Sequence, residues 1–439
     1  MYSQSHNFND NDKITSLKEI FTEAHLEGHI RNFFMSTSNQ NNLKDYYTNA
    51  TGGSIALKTK EFKGFELGVK GIFTYQTFSS DLNKPDATTG RISKWEHELY
   101  NINDFDNFND LDRLEELYLK YNFGHGYLTY GKLEIEDTPL LNESDGRMKP
   151  FVFKGLWLNY ELMDGHHFNL SWLDRVSPRS TVEWYDFNEA IGLTNNGFQP
   201  NGEVAQYHEN TNSRGIGIFN YSGNVKDWTF HFYNVHLDRI INTSWLQIDY
   251  LFRNWNMGIQ YALQFPLDYQ NKLAYNERYI QDTENGQVLS TQLQYKFTKM
   301  KLSAAFTHAF DTGRFLSPRE LGRDQLFTSI SRSRIDGFGN VTVLTFGGSY
   351  DFKSDRCTME LEFTRLFGAT VNEFENNKYN LDAYYQVNSR FHYGLKGFFD
   401  GLNFDILYVY KKNVNNNEPT LIFNRSNYHQ INFITNYNF

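Results

Sequence analysis

The sequence lacks several features that would assign it to the common protein classes. Of its 439 residues only one is a cysteine, Cys357, so the chain cannot form an internal disulfide. It has no apolar run of 18 or more residues, which excludes a helical membrane protein. Its net charge of -10 comes without any basic block, which argues against nucleic acid as a partner. Phosphate-binding glycine loops, zinc-type Cys/His spacing and Gly-x-Ser-x-Gly elements are also missing, so no cofactor is expected.

Alternating polarity is what the sequence has in abundance. Aromatic residues make up 17% of the chain, with 39 Phe and 29 Tyr. Leu117, Leu119 and Tyr121 alternate with Tyr118 and Lys120, and similar runs of about ten residues recur to the end of the chain. Such strands have one apolar and one polar face, as in a soluble all-β protein or an outer-membrane barrel.

The connections between these runs favour the membrane barrel. Tight links rich in Gly, Asp or Asn alternate with long polar segments, as short turns and long loops do at the two rims of an outer-membrane barrel. The tight links lie at 122–126, 163–166, 222–226 and 399–402, and the long segments at 78–110, 135–150, 177–212, 267–287 and 312–339. We predict a single transmembrane domain at 26–439, an antiparallel up-and-down barrel of about 18 strands.

The two ends of the chain carry further signals. The last strand places Ile431, Phe433, Tyr437 and Phe439 on one face, which suits a strand that closes the barrel against the first. Before the barrel, residues 14–25 show helical spacing with capping-box residues, so we predict a short amphipathic helix in a periplasmic segment at 1–25. No signal peptide is visible, and we interpret the sequence as a mature or engineered start.

Three groups of stretches resemble the OprD family of outer-membrane porins. The first is Gly-His-Ile-Arg-Asn-Phe-Phe at 28–34. The second combines Tyr-Gly-Lys-Leu at 130–133, Asp-Gly-Arg-Met-Lys-Pro-Phe-Val-Phe-Lys-Gly at 145–155 and Asp-Arg-Val-Ser-Pro at 174–178. The third and most specific is Leu-Ser-Pro-Arg-Glu-Leu-Gly-Arg-Asp-Gln-Leu-Phe-Thr at 316–328 with Ser-Arg-Ser-Arg-Ile-Asp-Gly at 331–337. The sequence departs from the family pattern at Leu321, Ser331, Ser333 and 148–149. These departures affect the inference of a substrate more than the inference of the fold.

The resemblance implies an 18-stranded barrel whose third loop folds inward, and passive uptake of small, often carboxylate-bearing nutrients. Arg147 lies in the matching part of that loop, where a guanidinium offers a bidentate fork to a carboxylate; the alternative is a salt bridge that anchors the loop. The resemblance implies a similar role for Arg31. The other basic candidates are Lys149, Arg332, Arg334 and Arg390, and the acidic candidates for the facing wall are Asp137 and Asp145.

Two other groups of residues have competing interpretations. The aspartates of one long loop have spacing that resembles part of a calcium site, although a solvated loop explains it better: Asp104, Asp106, Asp110 and Asp112. Five tryptophans are expected in the aromatic girdles, with sugar stacking in the pore as the alternative: Trp157, Trp172, Trp228, Trp245 and Trp255.

The expected location is the outer membrane of a Gram-negative bacterium. The expected partners are lipid and lipopolysaccharide, small hydrophilic solutes, the barrel-insertion machinery through the C-terminal strand, and a homotrimer or other membrane proteins. Two other functions stay open: a structural or assembly component with a plugged lumen, and an outer-membrane enzyme, for which no catalytic spacing is found.

Overall fold

The protein is a closed antiparallel β-barrel. A computed structural model describes residues 16–135, 138–141, 147–352 and 356–439. Its strands are β1 His25–Asn39, β2 Tyr46–Lys58, β3 Phe65–Ser79, β4 Arg113–Phe123, β5 Gly126–Leu133, β6 Val152–Met163, β7 His166–Ser177, β8 Tyr185–Asp186, β9 Ile216–Val225, β10 Trp228–Leu237, β11 Ile241–Phe252, β12 Trp255–Pro266, β13 Gln287–Lys296, β14 Met300–Ala309, β15 Val341–Asp351, β16 Cys357–Phe367, β17 Tyr384–Gly394, β18 Leu402–Asn413 and β19 Tyr428–Asn438.

Eighteen of these strands form the wall, and β8 is a short addition that pairs only with β7. The prediction of about 18 strands, ending in a strand that pairs with the first, is confirmed. Asn436 of β19 lies opposite Arg31 of β1, and the backbones of Phe439 and Gly28 exchange two hydrogen bonds of 2.8 and 2.9 Å. Gly28 permits this closure, because a Cβ there would lie 2.5 Å from the Phe439 ring.

Short turns gather at one rim of the barrel, here called the turn rim, and most of the long connections gather at the other, the loop rim. The loops used below are the second (80–112), third (134–151), fourth (178–215), seventh (310–340), eighth (368–383) and ninth (414–427). Near the turn rim, helix α1 spans Leu17–Thr22, and Ser16 caps it by accepting the backbone N–H of Glu19 at 3.3 Å. The predicted helix is therefore present but shorter than 14–25, and its predicted start lies outside the described residues.

Other short helical elements lie in the loops. They are α2 Phe187–Ala190, α3 Pro419–Ile422 and the 3-10 turns His97–Leu99, Asp268–Lys272, Tyr275–Glu277 and Gly397–Phe399. Among the described residues, no helix is long and apolar enough to cross a membrane.

Loops fill the upper lumen and form the buried core there. The largest apolar cluster joins inward-facing strand residues to Leu140 of the third loop, Phe187 of α2 in the fourth and Leu316 of the seventh. Outside the barrel, alternate residues such as Leu119 and Ile431 are exposed, as the period-2 pattern predicts. The core of this protein thus lies inside the wall, between the loops.

The tryptophans divide between the two faces. Trp172, Trp228 and Trp255 are exposed on the outer surface, as expected for girdle residues. The prediction was wrong for Trp157 and Trp245, which are buried inside the barrel. Each neighbours an exposed leucine in its strand, so the alternation itself requires both rings to point inward.

Candidate functional site

The base of the third loop lies across the lumen, against the first strand. Arg31 points inward from β1, and its guanidinium donates to the backbone oxygen of Arg147 and, at 2.7 Å, to the side-chain oxygen of Asn436. At the other end of the loop, the backbone oxygen of Pro139 accepts the N–H of Gln325 in the seventh loop at 2.9 Å. The third loop is therefore held between the wall and the seventh loop.

Arg147 joins the second and third loops. Its side chain is 1% exposed, and Nη2 lies 2.6 Å from Oε2 of Glu98 while Nη1 donates to the backbone oxygen of Trp95 at 2.9 Å. Glu98 also binds Arg179 of the fourth loop, at 3.1 Å. Burial alone would raise the pKa of Glu98, but Arg147, Arg179 and Lys94 hold it below its ordinary value. These contacts are those of a loop anchor.

Above this anchor the loops enclose a cavity of about 880 Å³. Among the described residues, its lining contains two carboxylates, Glu98 and Glu320, and ten basic side chains. The basic residues are Arg91, Lys94, Arg147, Arg179, Arg319, Arg323, Arg332, Arg334, Lys411 and Arg425. Glu98 is already paired, and Glu320 accepts the backbone N–H of Thr194 at 2.9 Å. Even with Asp336 paired to Arg319, the described basic groups of the cavity outnumber the acidic ones, in a chain whose net charge is -10.

Aromatic rings hold several of these cations in place. The Arg319 guanidinium lies 3.4 Å from the centroid of the Tyr379 ring and donates to Asp336 at 2.8 Å. The Lys411 ammonium lies 3.8 Å from the Tyr384 centroid and donates to the backbone oxygen of Arg332 at 3.0 Å. Cation–π contacts fix the positions of these groups at the cavity wall.

The cations are crowded enough to affect one another. The Lys94 side chain is exposed to the cavity but enclosed by protein. This enclosure, together with Arg319, Arg334 and Arg425, lowers its pKa to about 8, although Glu98 acts in the opposite direction. Burial beside Arg319 also lowers the pKa of Arg334. A site that disfavours its own positive charges is prepared to bind an anion.

The predicted site residues divide into three groups. Arg147, Arg332 and Arg334 line the cavity, and Arg332 also donates to Gln430 at 2.7 Å. Arg31, Lys149 and Arg390 lie outside its lining. Asp137 and Asp145 fall outside the described residues.

The two remaining lysine and arginine candidates have different surroundings. Lys149 is 1% exposed, its ammonium has no hydrogen-bond partner in the described chain, and burial lowers its pKa to about 7. Arg390 lies opposite Glu360 on the neighbouring strand, with a long contact of 3.5 Å to Ser331. Neither faces the basic cavity.

The calcium interpretation of the second loop finds no support in the geometry. Its four aspartates, Asp104, Asp106, Asp110 and Asp112, are exposed, and within the described ranges no three acidic, His or Cys side chains converge on a common point. The Asp106 carboxylate instead accepts the side-chain amide of Asn83 at 2.8 Å. The loop is a solvated one held by its own hydrogen bonds.

Sequence reasoning missed most of the cavity. Arg319 and Arg323 lie in the most specific matched stretch, 316–328, so their signal was present in the motif. Arg179 directly follows the matched stretch 174–178. The others stand in loops or at a strand end without any pattern to mark them: Arg91, Lys94, Lys411 and Arg425.

Comparison with known proteins identifies the family. The family model of the outer membrane porins of the OprD family matches residues 18–352. The chain belongs to the OprD family of outer membrane porins. Porins of this family and fold are channels rather than enzymes. A search of curated protein sequences finds no match for this porin.

Solved structures show the same fold at low sequence identity. The Pseudomonas aeruginosa porin OccK9 (OpdG) is 13% identical, with a TM-score of 0.72 over 95% of this porin and 99% of that chain. Pseudomonas aeruginosa OpdK, solved with vanillate, is 14% identical, with a TM-score of 0.71 over 96% and 99%. Acinetobacter baumannii OccAB3 is 15% identical, with a TM-score of 0.71 over 95% and 99%.

Proposed function

We propose that this OprD-family porin takes up small carboxylate-bearing solutes by passive diffusion through the basic cavity. The observation that carries the proposal is the charge imbalance of the lining, which in the described part of the chain has ten Lys or Arg side chains against two Glu. A carboxylate entering from the loop rim exchanges its hydration for charge-assisted hydrogen bonds, and several cations in sequence let it move on.

Two further facts support a solute of this class. The cavity of about 880 Å³ lies within the range of small-molecule sites, roughly 300–1,000 Å³. Vanillate, present in the structure of OpdK, is an aromatic carboxylate. Tyr379 and Tyr384 stand beside the cations of this cavity and offer apolar surface to the carbon skeleton of such a solute.

Arg147 has a supporting role in this proposal. Its guanidinium is committed to Glu98 and to the Trp95 carbonyl, so it fixes the cavity wall and leaves solute contact to exposed groups such as Lys94. Arg31, Lys149 and Arg390 likewise serve the wall and the loop base.

We place the porin in the outer membrane of a Gram-negative bacterium, with the turn rim in the periplasm. Residues 26–439 form one barrel domain in this proposal, and residues 1–25 form a periplasmic segment. The closing strand, with Phe439, is the part that the barrel-insertion machinery would recognise. A homotrimer or another membrane protein would contact the lipid-facing wall.

Reversal potentials in planar bilayers test the carboxylate proposal. Lys94→Gln combined with Arg334→Gln removes two cavity charges. Each is worth about 1 kcal/mol to an anion at about 4 Å in water, which is about a fivefold change in local anion concentration. We expect the preference for benzoate over potassium to fall by about that factor or more. The control, Lys226→Gln with Arg253→Gln, removes two exposed charges from the turn rim and should leave the preference unchanged.

Three results would count against the proposal in different ways. Equal shifts in the two double variants would show that overall charge, rather than the cavity, sets the preference. Current without any anion preference would contradict the carboxylate class and leave the porin intact. An inserted barrel that passes no current and shows no solute-dependent block would favour a plugged structural component.

A further inference from the structure

Three cations on the outer surface of the barrel stand side by side. Lys132 of β5 lies directly opposite Lys154 of β6, and Lys154 lies directly opposite Arg175 of β7. A bulge at 154–155 keeps Arg175 aligned with Lys154. The row below it on the same face is exposed and apolar or aromatic: Tyr130, Leu156 and Trp172. The three cations therefore face away from the lumen, and we call them the outer basic row.

Ion pairs with described residues do not neutralise the row. Among the described residues, none of its three side chains forms an ion pair or a side-chain hydrogen bond. Lys132 instead contacts the Trp184 ring at 4.4 Å. Asp186 lies opposite Arg175 in β8, but its carboxylate accepts the backbone N–H of Glu189 at 2.9 Å as the cap of α2. Since like charges directly opposite each other destabilise a sheet, the row costs stability unless an anion binds it.

The position of the row indicates where that anion comes from. The row lies at the loop-rim ends of the strands that flank the third loop, one step beyond the exposed ring of Trp172. Exposed tryptophans of barrels settle at the headgroup level, so the cations beyond Trp172 meet lipid headgroups. With the turn rim in the periplasm, as proposed above, these headgroups belong to the outer leaflet.

We propose that the outer basic row binds the phosphate groups of a phosphorylated glycolipid in the outer leaflet. Lys and Arg together offer a point charge and a planar fork to phosphate oxygens. Leu156 below the row would contact the acyl chains, and Trp172 would lie at the boundary between the acyl chains and the headgroups. The lipid would thereby brace the wall beside β5, the shortest strand of the barrel wall at 8 residues, where the third loop leaves for the lumen.

A second set of outward cations provides the matched control. Arg365 of β16 and Lys412 of β18 lie in one row near the loop rim, but Tyr385 of β17 stands between them. Arg365 contacts the Phe367 ring at 5.0 Å. Because these charges are not adjacent, they do not form a phosphate site of the same kind.

Native mass spectrometry of the purified full chain in detergent tests the proposal. The lipids are lipid A with two phosphates and the same lipid after phosphatase treatment. We expect the triple variant Lys132→Gln, Lys154→Gln, Arg175→Gln to bind the phosphorylated lipid about tenfold or more weakly than wild type, since each basic residue at a membrane surface contributes appreciably. The control, Arg365→Gln with Lys412→Gln, should bind it within about twofold of wild type, because β16 and β18 lie far around the barrel from the row and distant exposed charges are screened.

The outcomes that would overturn the proposal are distinct. Equal binding of the phosphorylated and dephosphorylated lipids by wild type would exclude phosphate recognition. An equal loss in the control would show general surface charge. Full competition by the same concentration of inorganic phosphate would indicate a free-anion site instead of a lipid site.

Two checks separate these outcomes from failures of folding or of the proposed transport. Single-channel conductance and reversal potential of the triple variant should match wild type, because the row lies outside the lumen. If the triple variant does not fold, Lys154→Gln alone removes the central cation and should weaken lipid binding several-fold. A melting temperature that the phosphorylated lipid raises in wild type but not in Lys154→Gln would support the same conclusion.

Discussion

The inside of the barrel holds its charges in two different arrangements. In the wall of β3 and β4, Arg113 and Glu115 are fully buried and lie 3.1 Å apart, and Lys70 lies 3.0 Å from Glu115 and 3.4 Å from Glu134. In this cluster the carboxylates are at least as many as the cations. In the lining of the cavity between the loops, as far as the structure describes it, basic side chains outnumber carboxylates by ten to two.

The difference separates charges that hold the fold from charges that act on a solute. A buried ion pair satisfies itself and presents little field to the lumen, whereas an unbalanced group of cations in a water-filled space attracts anions. Burial alone does not distinguish the two, because Arg147 lines the cavity and is as buried as Arg113. The local balance of charge does.

The largest effect is expected from the balanced cluster. Glu115→Gln leaves Arg113 and Lys70 without their shared partner, and an uncompensated buried charge costs about 3–5 kcal/mol of unfolding free energy. Urea unfolding of the barrel in lipid vesicles measures this. The control Glu66→Gln removes a carboxylate 3.8 Å from Lys120, in a partly exposed pair, and should cost less than about 1 kcal/mol. Similar losses for the two variants would contradict the distinction between the cluster and an ordinary pair.

A smaller effect is expected from Arg147→Ala. Arg147 is buried in an ion pair, like the charges of the wall, and also lines the cavity. Arg179 continues to neutralise Glu98 after the substitution, so we expect a loss of roughly 2 kcal/mol, less than for a pair broken completely. Single-channel recordings should show noisier current, because the second and third loops lose their connection. Arg147→Lys keeps the charge without the fork and should restore part of the stability.

Reversal potentials decide which interpretation of Arg147 holds. A loop anchor predicts a smaller change in anion preference than the Lys94 and Arg334 double variant gives. A larger change, without any loss of stability, would show that Arg147 binds the solute directly.

The two regions also differ in how far they can be predicted from sequence. The wall can be predicted from local sequence pattern. Period-2 alternation predicts the strands and their faces, and the alternation from Ile431 to Phe439 predicts the closing strand. The prediction was wrong for Trp157 and Trp245 because both alternate with exposed leucines, and alternation along the strand determines the face more strongly than residue type does. Parity is a geometric constraint, while a tryptophan has only a preference for the interface.

The cavity forms through contacts between loops that are distant in sequence, so local sequence pattern predicts few of its lining residues. Arg319 and Arg334 lie in stretches that resemble the family, so the resemblance is enough to make them candidate site residues. Lys94 and Arg425 approach the same space from loops that are more than 300 residues apart in the chain. Long loops have no periodicity, so nothing in their sequences says which side chains will meet.

The smallest effect concerns the charge state of Lys94, and it tests whether enclosure by protein and the neighbouring cations together lower its pKa. With its pKa lowered to about 8, Lys94 is mostly charged at pH 7 and mostly neutral at pH 9. We expect the anion preference to fall by up to about fivefold across this range, the effect of one unit charge at close distance. Reversal potentials measured from pH 6 to 10 give the midpoint.

The variant Lys94→Arg supplies the control, because a guanidinium stays charged throughout this range. Stability should change in the opposite sense to anion preference. The folded pKa lies below the ordinary value of 10.5, so the unfolded chain binds more protons between about pH 8 and 10.5, and wild-type stability gains with rising pH relative to Lys94→Arg. A midpoint near 10.5, or identical pH profiles for wild type and Lys94→Arg, would mean that neither the enclosure by protein nor the neighbouring cations act on Lys94. The cations of the cavity would then be separately solvated charges rather than a crowded group that favours the binding of an anion.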